Sequence, residues 1–230
     1  MSNELEAEVL SSWQVNAAAW TAAVQEGKIA SRKLVTDQAI LAAVQQHQPK
    51  RVLDIGCGEG WLARRLAEQG MQVMGVDAIP ALIEQARQRG GAEFEICSYE
   101  EIAAGALAAA GPFDALICNF SLLGKESVER LLRALPALLS RHGRLFVQTL
   151  HPVVACGDQP YRDGWRPGSW EGFGPEFTQP APWYFRTIAS WINLFHACGL
   201  RLAECREPLH PQTLKPAAIL FIGAAQSPAW

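Results

Sequence analysis

The sequence predicts a doubly wound α/β domain: a mostly parallel seven-stranded sheet with an antiparallel last strand, helices on both faces, an N-terminal helical cover and an aromatic insertion after the fifth strand. Three observations carry that prediction. Short apolar runs alternate with helical stretches from about residue 50 to residue 152, the pattern of βαβ units feeding a parallel sheet. The first run, VLDIGCGEGW at 52–61, breaks into Gly56, Gly58 and Gly60, a sharp strand-to-helix turn that only glycines permit. The second run, MQVMGVD, ends in Asp77, 21 residues after Gly56.

Taken in order, residues 3–24 have helical spacing, with Trp13, Asn16 and Trp20 sharing one face. That face either packs the helix onto the domain or lines a pocket under a mobile cover. A second helix over 31–46 starts at Ser31, a candidate N-cap, and carries Ile40, Leu41 and Val44 as its apolar stripe. Between them Lys28, Arg32 and Lys33 are either solvated charge or face an anionic ligand. Val52, Leu53 and Ile55 form the first strand, and the helix WLARRLAEQ, stopped by Gly70, aims its first amides back at the turn. After the second strand come a helix over 79–89 and a third strand AEFEICSY, with Ser98 and Tyr99 at its carboxyl end. An alanine-rich helix over 101–110 leads to the fourth strand FDALICNFSLL, which runs out into Asn119, Phe120 and Ser121. A helix over 125–140 leads to the fifth strand RLFVQTL, ending at His151 and Pro152. Ligands of such sheets sit at the strands' carboxyl ends.

Residues 153–185 hold five prolines, five glycines and eight aromatic side chains, too aromatic for a disordered linker and too broken for a regular element; a lid or binding loop fits that place. A helix over 187–198 and an antiparallel pair, LRLAECRE and AAILFIGAA, close the chain. One domain is expected over 1–230: a cover at 1–48, a cofactor-binding half at 49–152, the insertion at 153–186 and the closing elements at 187–230.

Composition narrows the function. With 20 basic against 23 acidic residues and a net charge of −3, no overall basic field favours a nucleic-acid partner. The acidic opening lacks the basic and apolar regions of a secretory signal, and no apolar run reaches the ~18 residues of a membrane span, so a cytoplasmic protein without a membrane partner is expected. The six cysteines show no Cys-x-x-Cys spacing, which argues against a metal site or a disulfide framework.

The glycine spacing discriminates between cofactors. A dinucleotide fold wants Gly-x-Gly-x-x-Gly, with glycine at 61, but Trp61 stands there and the third glycine comes early, at Gly60. That disfavours an NAD(P)-dependent oxidoreductase. The stretch VLDIGCGEGWLARRLAEQGMQVMGVDAIPALIEQAR, followed by FDALICNFSLL and LLRALPALLSRHGRLFVQTLHP, resembles the Rossmann-like (class I) S-adenosylmethionine-dependent methyltransferases, closely over residues 50–150 and loosely over 187–225. The resemblance implies S-adenosyl-L-methionine as cofactor and S-adenosyl-L-homocysteine as product. It implies that Asp54 and the turn Gly56, Cys57, Gly58 hold the amino-acid moiety. Asp77 matches the ribose-binding acid, Ala78 and Ile79 lie beside the adenine, and Ser98 and Tyr99 cap it. By the same resemblance Asn119 faces the methionine part, and Phe120 and Trp61 are placed to pack on the sulfonium or the adenine.

Methyl transfer from a sulfonium needs alignment and exclusion of water more than a reactive side chain. The chain lacks both the Asn/Asp-Pro-Pro-aromatic signature and the Pro-Cys nucleophile of nucleic-acid methyltransferases after its fourth strand, which favours a small-molecule acceptor. His151 reads either as a general base or as a cap of the fifth strand. Trp20, Tyr161, Trp165, Trp170, Trp183 and Tyr184 are candidate walls of the acceptor pocket, and Arg186 either anchors a carboxylate or pairs on the surface. An adenosyl-binding regulator without catalysis is the alternative.

Overall fold

A computed structural model describes residues 2–226, so residue 1 and residues 227–230 of the predicted domain lie outside the described part. Five strands follow one another as β1 (Arg51–Ile55), β2 (Gln72–Asp77), β3 (Glu93–Ile96), β4 (Phe113–Asn119) and β5 (Leu139–Thr149). A small ribbon, β6 (Gly164–Arg166) and β7 (Trp183–Phe185), precedes β8 (Leu200–Arg206) and β9 (Ile219–Ala225). The seven-stranded sheet has the order β3-β2-β1-β4-β5-β9-β8. β1 to β5 are parallel, and β9 runs antiparallel to both β5 and β8. The order reverses between β1 and β4, so the crevice of the fold opens at their carboxyl ends.

Both faces are covered, which is why the strands read as almost unbroken apolar runs. Val52, Ala115, Ile117 and Phe146 pack with α2 (Asp37–Gln46), α3 (Trp61–Ala67) and α4 (Pro80–Arg89) through Ile40, Val44, Leu62, Leu66 and Ile83. Their alternates Leu53, Ile55, Leu116, Cys118 and Val147 pack on the other face with α6 (Glu126–Ala134) and α8 (Ile188–Ala197) through Leu131, Leu132, Trp191 and Phe195. The long α1 (Ser2–Gln25) lies across α4 at the sheet's ligand edge, where Ala17, Trp13 and Trp20 meet Ile79 and Leu82.

Several expected boundaries move, each for a local reason. Ser31 is not an N-cap: it is helical itself (φ −60, ψ −36), makes no side-chain cap bond, and leads into a π-helical stretch, Arg32–Thr36, ahead of α2. The helix expected at 101–110 is the short α5 (Tyr99–Ala103). It starts early because Ser98 and Glu101 form a reciprocal capping box, which also ends β3 before Ser98, and Gly105 at φ +93 turns the chain away. The fourth strand stops at Asn119, since Phe120 adopts φ +54. The helix expected to reach 140 ends at Ala134; a 3-10 turn, Leu135–Leu138, holds Pro136, and β5 already begins at Leu139. Proline has no amide hydrogen for an α ladder. The insertion contains α7 (Pro152–Ala155) and the β6–β7 ribbon, more regular structure than its composition suggests.

Candidate active site

The site is built on the turn between β1 and α3, and its three glycines answer to three neighbours. A Cβ on Gly56 would meet Ser121 Oγ at 2.9 Å and Tyr99 Oη at 3.2 Å, and one on Gly60 would meet the Phe94 ring at 2.6 Å. These two are pressed by protein, not by a ligand. Gly58, at φ +58, has only Trp20 Nε1 within reach, at 3.7 Å, an ordinary van der Waals contact, so it is the least crowded of the three. Glu59, overlooked in the sequence, closes the turn: it is buried, accepts from the Trp61 amide at 3.1 Å and pairs with Arg64.

Above the turn lies one cavity of about 970 Å³, bordered by the carboxyl ends of β1, β2, β4 and β5, by α1 and by the insertion. Gly56, Cys57, Gly58, Asp77, Ala78, Ile79, Ser98, Tyr99, Asn119 and Phe120 all border it, as do Trp20, Trp170, Trp183, Tyr184 and Arg186. Asp77 Oδ2 accepts from the Gly58 amide and Oδ1 from the Ile79 amide, both at 2.9 Å. Its carboxyl, which the Ala78 amide also approaches, thus ties the turn to α4. Burial raises the Asp77 carboxyl above its ordinary range against the pull of these amides.

Four of the expected site residues do not border this cavity. Asp54 does not border the cavity. Strand alternation turns it to the α3 side, where it is 1% exposed with Oδ2 unpartnered. Burial first, and then the charge of Asp77, push its carboxyl up to about 7, opposed by the Ala63 amide. His151 does not face the cavity either. It is the N-cap residue of α7, 5% exposed, and its Nε2 lies 2.7 Å from Glu207 Oε1, while Thr149, Leu150 and Pro152 around it border the cavity. Its other ring nitrogen, Nδ1, is buried without a partner. Tyr161 sits outside, its hydroxyl accepting from the Ile188 amide at 2.9 Å, a cap on α8. Trp165 belongs to a second, smaller hollow and stacks edge-on with Tyr184.

Three other expected site residues are held by protein partners. The Ser98 hydroxyl is committed to its capping box with Glu101, and Tyr99 Oη donates to the Ser121 carbonyl at 2.9 Å, so both shape the wall from within. Arg186 is neither a surface ion pair nor free: it is 4% exposed, donates to the carbonyls of Gly124 and Lys125 at 3.0 Å each, and lies over the Tyr184 and Trp191 rings. Burial lowers its guanidinium from its usual value.

The roof joins α1 to the insertion. Trp13 stands edge-on to Trp20 and to Trp170, and Trp170 packs on Phe173 and Phe177. Buried Asn16 donates to the Thr178 carbonyl at 2.7 Å and accepts from its amide at 2.9 Å. Arg32 borders the cavity, lies 4.6 Å over the Trp61 ring and pairs with Asp37. Among the described residues no cluster of metal-ligating side chains occurs, and no helix is long and apolar enough to cross a membrane.

Sheet order, glycine turn and an acid closing the second strand define the architecture of the class I, Rossmann-like S-adenosylmethionine-dependent methyltransferases. A family model described as a methyltransferase domain matches residues 29–204, and the chain belongs to that family. Among relatives, a ubiquinone biosynthesis O-methyltransferase of Xylella fastidiosa (strain M23) is 37% identical over 111 residues, 46% of this chain and 44% of that protein. One of Xanthomonas oryzae pv. oryzae (strain PXO99A) is 36% identical over 111 residues, 46% of this chain and 45% of that protein. The match thus spans less than half the length of these curated relatives. Among solved structures, a 1,6-didemethyltoxoflavin-N1-methyltransferase of Burkholderia thailandensis, with bound 1,6-didemethyltoxoflavin and S-adenosylhomocysteine, superposes with TM-score 0.69 at 19% identity. It covers 99% of this chain and 91% of that one. An S-adenosylmethionine-dependent methyltransferase of Mesorhizobium loti gives 0.59 at 22% identity, covering 79% and 95%. At these identities the likeness is one of fold.

Proposed function

We propose that this chain transfers a methyl group from S-adenosyl-L-methionine to a small-molecule acceptor by in-line displacement. The observation that carries this reading is a single cavity in which Gly58 and Asp77 lie at one side and an aromatic roof at the other. Three features suit the cofactor: Gly58 on the cavity wall, with no side chain of its own beneath Trp20, the Asp77 carboxyl at the end of the second strand, and a buried, unpartnered Thr36 hydroxyl. Asp77 holds the ribose diol, Ala78, Ile79, Leu82 and Tyr99 enclose the adenine, and Asn119, Thr36 and Arg32 attend the amino-acid end. The cofactor supplies an electrophilic methyl on a sulfonium. The chain's part is to exclude water under Trp13, Trp20 and Trp170 and to hold the acceptor in line between Phe120, Trp183 and Tyr184. No side chain is assigned as a base in this reading, so the acceptor's own acidity sets how readily its proton is lost. The relatives named for ubiquinone biosynthesis and the neighbour holding 1,6-didemethyltoxoflavin support a small-molecule acceptor.

Calorimetric titration of the purified protein with S-adenosylmethionine, S-adenosylhomocysteine and the nicotinamide dinucleotides tests the reading, followed by methyl transfer to an acceptor panel. Tight binding of the adenosyl ligands alone is expected. Binding of the dinucleotides alone would end the proposal, and adenosyl binding without turnover on any acceptor would favour a regulator.

A further inference from the structure

Gln148 is a polar side chain in the middle of the sheet, on β5 and 1% exposed. Its Cα partner on the neighbouring parallel strand is Asn119, so the two side chains leave the sheet on the same face. Gln148 Nε2 donates twice, to the Thr36 carbonyl at 3.0 Å and to Asn119 Oδ1 at 2.8 Å. The Thr36 carbonyl is a backbone oxygen and can only accept, so the Gln148 atom facing it is the amide nitrogen. That nitrogen can only donate, so the Asn119 atom it meets is Oδ1. One peptide carbonyl therefore fixes the orientation of two side-chain amides. With Oδ1 occupied, the group Asn119 has left for the cavity it borders is Nδ2 with its two hydrogens. Thr36 borders the same cavity, and its hydroxyl is buried without a partner.

We infer that Gln148 is a positioning residue: it holds Asn119 with its donor side toward the cavity, so that Asn119 and Thr36 form a donor pole for the carboxylate at the amino-acid end of the cofactor. This rests on the adenosyl-cofactor reading above. A pole of N–H and O–H donors matches an acceptor-only carboxylate and mismatches an ammonium group, which orients the amino-acid end. Because the Thr36 carbonyl belongs to the segment leading out of the N-terminal cover, the orientation of Asn119 depends on that segment being seated.

Calorimetry on the full chain separates this from a packing role when S-adenosylhomocysteine is compared with 5′-methylthioadenosine, which lacks the amino-acid end. Gln148→Leu is expected to weaken S-adenosylhomocysteine about tenfold or more and to leave 5′-methylthioadenosine within about twofold. In an Asn119→Ala background Gln148→Leu should cost nothing further, because its effect passes through Asn119. Gln148→Met keeps the length of the side chain but has no N–H to donate, so it should show the same selective loss of S-adenosylhomocysteine. It also carries the comparison if Gln148→Leu does not fold. Equal weakening of both ligands, or a Gln148→Leu effect that persists without the Asn119 side chain, would overturn the inference. A wild-type protein that binds neither ligand would overturn the adenosyl reading itself.

Discussion

At the scale of single residues, Asp77 has two duties that a substitution can separate. Its carboxylate satisfies the Gly58 and Ile79 amides, and in the proposed complex it also accepts from the ribose diol. Asp77→Ala should weaken adenosyl ligands by about 1–3 kcal/mol through lost charged hydrogen bonds. The loss should be equal for S-adenosylhomocysteine and 5′-methylthioadenosine, both of which carry the ribose, in contrast to the loss expected at Gln148. Titration of the two ligands reads this directly, and an unchanged affinity would reduce Asp77 to a tie between the turn and α4. Gly60 makes a prediction of stability rather than affinity. A Cβ there collides with the Phe94 ring at 2.6 Å, and its φ of +83 is costly for any other residue. Gly60→Ala should lower stability by about 1–3 kcal/mol, measured by denaturant unfolding; a change under about 0.5 kcal/mol would show that β3 yields freely.

At the scale of elements, the cover and the insertion behave as one roof because Asn16 joins them. Its amide is fully buried and spans from α1 to both backbone groups of Thr178. Asn16→Ala leaves the Thr178 amide without its side-chain partner, a local cost of about 1–3 kcal/mol. The expected outcome is faster hydrogen exchange and proteolysis confined to 167–181 and α1, with β1, β4 and β5 unchanged; equal protection in wild type and variant would show that the stacked tryptophans alone hold the roof. Elements were also where the sequence was most and least legible. The strands of the sheet and the β1–α3 turn could be read because buried parallel strands are apolar on both faces and break at glycine. The capping box at Ser98 and Glu101 was equally readable as Ser-x-x-Glu and would have placed α5 correctly. The directions of Asp54 and His151 were not, because the sequence names a residue at a strand's end without saying on which side of the sheet its neighbours lie. Gln148 offered a signal of another kind, a lone amide inside an apolar strand, whose nitrogen finds two acceptors while its oxygen stays unpartnered.

For the whole molecule, the unusual feature is negative charge gathered under a cavity. Asp54, Glu59 and Asp77 lie close enough for Asp77 and Glu59 to raise the Asp54 carboxyl along with burial, to about 7 from an ordinary 3.8. The sign of the consequence is fixed by linkage. Between pH 3.8 and about 7 the folded protein keeps a proton on Asp54 that the unfolded chain has released, so stability falls as the pH rises through that window and levels off above it. The upper bound is on the order of 4 kcal/mol, and Asp77, also raised by burial, acts in the same direction. Asp54→Asn keeps an oxygen to accept from the Ala63 amide but has no proton to lose. The stability difference between wild type and Asp54→Asn should therefore favour the variant increasingly from pH 4 to 7 and stay constant beyond, as read by chemical denaturation at a series of pH values. Parallel curves would show that Asp54 ionises as it does in water. A ligand bringing positive charge to the cavity relieves the same strain, so S-adenosylhomocysteine, through its ammonium group, should raise the melting temperature more at pH 8 than at pH 5.5, and this pH dependence should flatten in Asp54→Asn. Equal stabilisation at both pH values would show that the charge beneath the cavity does not act on the ligand's ammonium group.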